Sequence, residues 1–228
     1  QTAAEKVYGI VHNTCVGFSE NISENENNHT DEECCGEGHE ILGSKISGNR
    51  LKVYALTMVG NYGFQNDMFI KVSGSGVIPA VFHFEKSGDQ YKLIEIEYPE
   101  DGGGYTKSIK KMFPLKYRNK ALHYGADVEE KMKEQERTYA QAYLNSIGRD
   151  AKIGEYRDLD VKLLTDCGVS VEVSNALIED KRLWKYPYWI GSKETLEDGI
   201  RYIHTLSIDK EKNTINYVTT EYENGKVM

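Results

Sequence analysis

Residues 51–98 read LKVYALTMVGNYGFQNDMFIKVSGSGVIPAVFHFEKSGDQYKLIEIEY. The stretch is rich in Val, Ile, Tyr and Phe, which suit a pleated, half-buried surface. Punctuation of the kind that closes strands interrupts it at Gly60-Asn61, Gln65-Asn66-Asp67, Gly74-Ser75-Gly76 and Ser87-Gly88-Asp89. The expected strands are therefore Leu51–Val59, Tyr62–Val72, Val77–Glu85 and Tyr91–Tyr98, preceded by His39–Ile46 across the turn Ser47-Gly48-Asn49. Short connections between them predict an antiparallel meander. Strand 51–59 is apolar on both faces, which places it centrally. Pro79 has no N–H to give a ladder, so it belongs at a strand start or a bulge.

Outward from this block the period changes. After the turn Asp101–Gly104, Ile109, Met112 and Phe113 recur at helical spacing, and Pro114 ends that helix or opens the next. A longer helix is expected over Asp127–Ile147, with Asp127 as N-cap, Glu129 and Glu130 in its first turn, Val128, Met132, Tyr139, Tyr143 and Ile147 on one face, and Gly148 as its stop. Val161–Leu164 and Val169–Val173 read as short strands, Ser174–Asp180 as a short helix, and Ser192 as the cap of another helix over Lys193–Glu197. A hairpin of Ile200–Ile208 with Asn213–Tyr222 closes the chain, and residues 5–12 form a strand at its beginning. Strands, then helices, then strands again define an α+β fold. The expected division is an α+β domain over 1–150 and a smaller β-rich segment over 151–228.

The 228 residues carry a net charge of -8. Between Ser19 and Glu40 lie eight acids and no Lys or Arg, so this segment holds the whole excess. Its polarity reads as a solvated loop over residues 19–38. No basic footprint for nucleic acid and no apolar run of transmembrane length is present.

The same acidic segment holds the candidate metal ligands His29, Cys34, Cys35 and His39. Thiolate and imidazole suit zinc, but adjacent cysteines chelate poorly compared with a C-x2-C pair. A disulfide from Cys15 to Cys34 or Cys35 competes with that reading. Cys167 in Thr165-Asp-Cys-Gly168 is a conceivable nucleophile that would need a histidine from elsewhere in the fold. Ser108-Ile-Lys-Lys111 matches S-x-x-K, yet the K-T-G-like Lys86-Ser-Gly88 precedes it instead of following, and no S-D-N lies between. The glycines of Gly102–Gly104 precede Lys107, Lys110 and Lys111, so an anion could sit there weakly. Trp184, Tyr186, Tyr188 and Trp189, gathered around Pro187, are the strongest binding candidates, because exposed Trp and Tyr dominate recognition surfaces.

His39-Glu-Ile-Leu-Gly43, the tract Leu51–Val59 with Gly74–Val81, Tyr105–Pro114, and Glu134-Gln-Glu with Tyr139-Ala and Tyr143-Leu together resemble an extracytoplasmic domain of clostridial-type Firmicutes. In that group the domain occurs alone behind an export signal, or attached to beta-lactam-sensor-type membrane metallopeptidases. The resemblance covers roughly residues 38–150. It implies a secreted or membrane-anchored bacterial protein in a sensor or accessory context, and it implies no activity. The H-E-x-x-H of the metallopeptidase is absent: His39-Glu40 is followed by Ile-Leu-Gly with no second His. The expected function is an uncharacterised binding or sensor-accessory module for a small-molecule, peptide or protein ligand, without catalysis or cofactor. The alternative is a small hydrolase using Cys167 or a loop-bound metal. A curved sheet packed on the Asp127–Ile147 helix suggests a cystatin-like or NTF2-like plan by analogy.

Overall fold

A computed structural model describes residues 31–163, 185–209 and 214–223. The expectations for residues 5–12, Val169–Val173 and Ser174–Asp180 lie outside them. Among the described residues the fold is α+β, mostly antiparallel sheet with three helices. The chain gathers into two compact units. Of the described residues, the first takes 35–60 and 74–139; the second takes 31–34, 61–73, 140–163, 185–209 and 214–223.

In the first unit, β1 (Cys34–Ser47), the opening part of β2 (Arg50–Gln65), β4 (Ile78–Ser87) and β5 (Gln90–Glu97) form the sheet. β4 lies antiparallel to β2 from Arg50↔Glu85 to Thr57↔Ile78, and to β5 with a bulge at His83/Phe84. The period-2 alternation of β2 gives both faces something to bury. Leu51, Val53 and Ala55 pack with Ala80, Phe82 and Phe84. Tyr54 and Val81 pack with Ile109 of α1 (Tyr105–Met112), with Phe113, and with Ala121 of α2 (Leu115–Leu122). Leu56, Met58 and Val77 meet Val128 and Met132 of α3 (Ala126–Ser146). The central placement of residues 51–59 is thus what the structure has. Gly36 and Gly38 bring β1 close to α3: a Cβ on Gly38 would come 2.6 Å from the Met132 Cβ, so only glycine permits this approach.

In the second unit the strand order is β10 (Thr214–Glu221), β9 (Ile200–Asp209), β8 (Trp189–Glu197), the end of β2, β3 (Met68–Gly74) and β6 (Lys152–Glu155). The β8–β9–β10 pairs are antiparallel, and β3–β6 is parallel. β7 (Lys162–Leu163) pairs with β8 at Ile190 and Trp189. Tyr62, Phe64 and Phe69 pack on Ala140 and Leu144 of α3. Ile70, Leu159 and Trp189 form a second cluster, and Leu206 a third with Ile190, Ile215 and Tyr217.

Five expectations are corrected. The chain does not turn at Gly60-Asn61: β2 runs through to Gln65, and the hairpin forms at Asn66 (φ 46°) and Asp67 (φ 61°). Two consecutive left-handed residues are the geometry of a tight two-residue hairpin, and Asn and Asp tolerate it. Asn61 stays extended because its amide donates to Glu32 (3.1 Å) and Ser73 (2.9 Å). Second, the first sheet is not a plain meander, since β4 pairs with β2 and skips β3. Third, Lys193–Glu197 is strand, not a helix capped by Ser192. Fourth, residues 31–38 are not a solvated loop: β1 begins at Cys34, and Asp31 and Glu37 are buried. Helix α3 begins one residue before Asp127, which sits in the first turn instead of capping it.

Candidate functional site

The acids at the start of the described chain find partners one by one. Asp31 pairs with Lys193 at 3.0 Å. Glu32 accepts from Ser73 and Asn61. Glu37 accepts from the Tyr139 hydroxyl (3.0 Å) and contacts the His39 Nδ1 (3.0 Å), with both side chains almost fully buried. Glu40 pairs with Lys120.

Glu33 is the most consequential of these acids. Its side chain is fully buried and lies in a fork of the Arg201 guanidinium, which donates from Nη1 and, at 2.7 Å, from Nη2. Arg201 Nη1 also donates to Glu194 at 2.9 Å, and Arg149 grips the same Glu194 bidentately at 2.6 and 2.9 Å. Two cations and two anions balance, which is what allows them to lie together away from water. Aromatic rings complete the setting: the Arg149 guanidinium lies 3.5 Å above the Phe64 ring and 4.8 Å from that of Tyr222. Burial by itself would lower the Arg201 pKa, but the hydrogen bonds and charges of Glu33 and Glu194 outweigh it and raise it, so the group stays cationic at any accessible pH. The Tyr143 hydroxyl donates to Glu33 at 2.9 Å, and burial followed by the Glu33 charge pushes its pKa up to about 12.

A groove of about 290 Å³ opens over this network. Arg149 and Arg201 line it, with Glu221 and Glu223 as its acids and Ile147, Leu196, Ile200 and Tyr222 as its apolar wall. Those four apolar side chains are 37–45% exposed, although their chemistry favours burial. The β8–β9 hairpin, turning through Asp198 (φ 51°) and Gly199 (φ 80°), sets one end of the groove; the end of β10 sets another. No motif announces this site, because its residues come from the end of α3, the β8–β9 turn and the end of β10. The exposed apolar residues on the polar-rich hairpin were the only signal in the sequence.

A second network crosses the β8–β9–β10 face. His204 is 3% exposed; its Nε2 meets Thr195 Oγ1 at 2.8 Å and its Nδ1 meets Thr219 Oγ1 at 3.0 Å. Thr195 donates its one proton to Glu197 (2.9 Å), so it accepts from His204 Nε2–H. His204 Nδ1 must then accept from Thr219, which in turn accepts from the Tyr186 hydroxyl at 2.7 Å. The ring is held as the neutral Nε2–H tautomer, with no acceptor waiting for a second proton. Burial is the main reason its pKa falls to about 4; Lys185 and Lys193 add to the fall and Glu197 opposes it. An imidazole this acidic is a poor general base.

The sequence-predicted residues fall as follows. Tyr186 is half-buried, packed edge-on against His204 and Tyr217. Trp189 is 8% exposed in the Ile70–Leu159 cluster, edge-on to Tyr156, and its Nε1 has no hydrogen-bond partner among the described residues. Tyr188 is exposed. Trp184, Cys15, Cys167 and His29 lie outside the described residues. Cys34 packs in the Tyr62–Phe64–Phe69 cluster, and Cys34 and Cys35, as strand neighbours, point to opposite faces. His39 is held by Glu37 and by a 2.6 Å bond from its N–H to Gln135. Among the described residues no three His, Cys, Asp or Glu side chains gather as a metal site. Ser108 is buried, accepting from Glu100 N–H and donating to the Tyr105 carbonyl, which is a helix-start role. No helix among the described residues is long and apolar enough to cross a membrane.

Comparison with protein-family models, with curated proteins and with solved structures gives no match.

Proposed function

We propose that this chain is an extracytoplasmic bacterial binding module, in a sensor or accessory role and without a catalytic step of its own, and that the groove over Arg149 and Arg201 takes its ligand. One observation carries the reading: four exposed apolar side chains line a groove whose polar floor is already fixed by bidentate ion pairs. Recognition sites are built in this way, with apolar walls for affinity and a few immobile polar groups for orientation. The groove is small, against a range of roughly 300–1,000 Å³ for ligand clefts. The one buried imidazole of the β8–β9–β10 face, His204, is tied through Thr195 to Glu197. The compartment rests on the Firmicutes resemblance of residues 38–150, and the packing of the first unit's sheet on α3 fits a cystatin-like or NTF2-like plan.

The test is two-sided. A panel of short peptides, sugars and small organic acids is titrated into isotopically labelled protein, and amide shifts are expected at Arg149, Leu196, Ile200, Arg201 and Tyr222. The same protein is incubated with ester, peptide and phosphoester substrates, and no turnover is expected. Turnover abolished by Cys167→Ala or by chelation would establish the hydrolase instead. Recovery of the protein from the cytoplasmic fraction of its host would refute the compartment.

A further inference from the structure

We infer that the ligand of the groove is a short zwitterionic peptide carrying aliphatic side chains, an inference that rests on the groove being the binding site. The polar inventory leads to it. The ion pairs with Glu33 and Glu194 use two N–H groups of Arg149 and three of Arg201. That leaves three N–H groups of Arg149 and two of Arg201 without an acceptor among the described residues, on side chains that line the groove. Such donors take a carboxylate or a carbonyl, and take it bidentately. Glu33 and Glu194 already neutralise both guanidinium charges, so the floor does not select for bare negative charge.

The rim argues the same way. Glu223 lines the same groove, so an anion held by the arginines alone would face its carboxylate. A simple cation would meet the rim carboxylate but leave the spare arginine N–H donors without an acceptor. A ligand with both signs at separated positions meets each with its opposite: its carboxylate on the arginine donors, its ammonium toward Glu223. Between them the wall is Ile147, Leu196, Ile200 and Tyr222, which offers contact to aliphatic side chains and nothing to a polyhydroxylated ring beyond one tyrosine face. The volume, about 290 Å³, limits the bound part to a few residues.

The probe is leucyl-leucine, titrated into the full chain by calorimetry and by amide shifts. N-acetyl-leucyl-leucine lacks the ammonium, leucyl-leucinamide lacks the carboxylate, and glycyl-glycine lacks the aliphatic groups. Leucyl-leucine is expected to bind, and each of the three analogues to bind more weakly by about tenfold or more. Glu223→Gln, an exposed rim change, should weaken leucyl-leucine and leave the acetylated form unaffected. Equal affinity for the acetylated or amidated form overturns the inference, as does failure of leucyl-leucine to shift Arg149, Ile200 and Tyr222. If another member of the panel shifts those residues while leucyl-leucine does not, the ligand class is wrong and the groove stands as the site. If no compound shifts them, both readings fall.

Discussion

Acidifying the protein from about pH 7 to about pH 5 should cost it close to 2 kcal/mol of stability through His204 alone. In the unfolded chain this imidazole takes up its proton near 6.5; in the folded protein it does so only near 4. Between those values the unfolded chain carries a proton that the folded one does not, so stability falls as pH falls across this window and levels off below it. At about 1.4 kcal/mol per unit, the 1.5 units from 6.5 to 5 give the figure. The hydrogen-bond directions give the same sign independently. A proton added at Nδ1 would turn that nitrogen into a donor facing Thr219, whose own proton already points at it; the Thr219 hydroxyl would have to rotate that proton away and lose its acceptor. The charged groups nearest the ring, Glu197, Lys185 and Lys193, are the ones that bear on its pKa, and the two lysines keep a second positive charge unwelcome. Urea unfolding followed by tryptophan fluorescence at both pH values, for the native protein and for His204→Gln, isolates the effect because every other group titrates in both. The native protein should lose about 2 kcal/mol more than the variant on acidification. Parallel losses, or an NMR titration of His204 near its ordinary value, would refute the assignment of a neutral, locked imidazole.

Three further outcomes follow from the packing. Arg201→Met strands the fully buried Glu33 carboxylate and removes one of the three arginine hydrogen bonds to Glu194, so urea unfolding should report a loss of about 3–5 kcal/mol, while Arg201→Met with Glu33→Leu recovers much of it. Gly38→Ala forces a methyl into the Met132 backbone and side chain and should cost about 1–3 kcal/mol by the same measurement, against near-neutrality for Gly76→Ala, where a Cβ meets open space. Trp189→Ala should cost about 3–5 kcal/mol, because the indole is buried in a cluster with Ile70 and Leu159; Tyr188→Ala, on an exposed ring, should leave the unfolding midpoint nearly unchanged.

The aromatic run around Pro187 shows how far sequence reading reaches. Its composition marks it as important, but whether a ring covers core or meets solvent depends on what the rest of the chain places beneath it. Tyr186 and Trp189 lie over β-strand residues and Tyr188 does not. The segment Ser192–Glu197 shows the opposite failure. Its polar residues read as a capped helix because nothing nearby in sequence could satisfy them in a strand. In the fold, Lys193 meets Asp31, Glu194 meets Arg149 and Arg201, and Thr195 meets His204. Polar residues on a buried strand look wrong until their partners arrive.

Local pattern alone determined the elements whose stabilisation is local or periodic. These are the doubly buried strand 51–59, the long helix that runs to Ser146 and the closing hairpin; the strand expected over Tyr62–Val72 is instead split by the hairpin at Asn66-Asp67. Periodicity and turn chemistry act over a few residues, so one segment carries the whole signal. Tertiary structure decided the fate of the acids and the place of the groove. Asp31, Glu32 and Glu33 are contiguous in the chain but reach Lys193, Ser73 and Arg201, residues that only the folded sheet brings within hydrogen-bonding distance. Charge pairing at a distance leaves no periodic trace in sequence, and so the segment that reads as the protein's loose acidic excess ends, in the folded chain, as the anchor of its most highly bonded site.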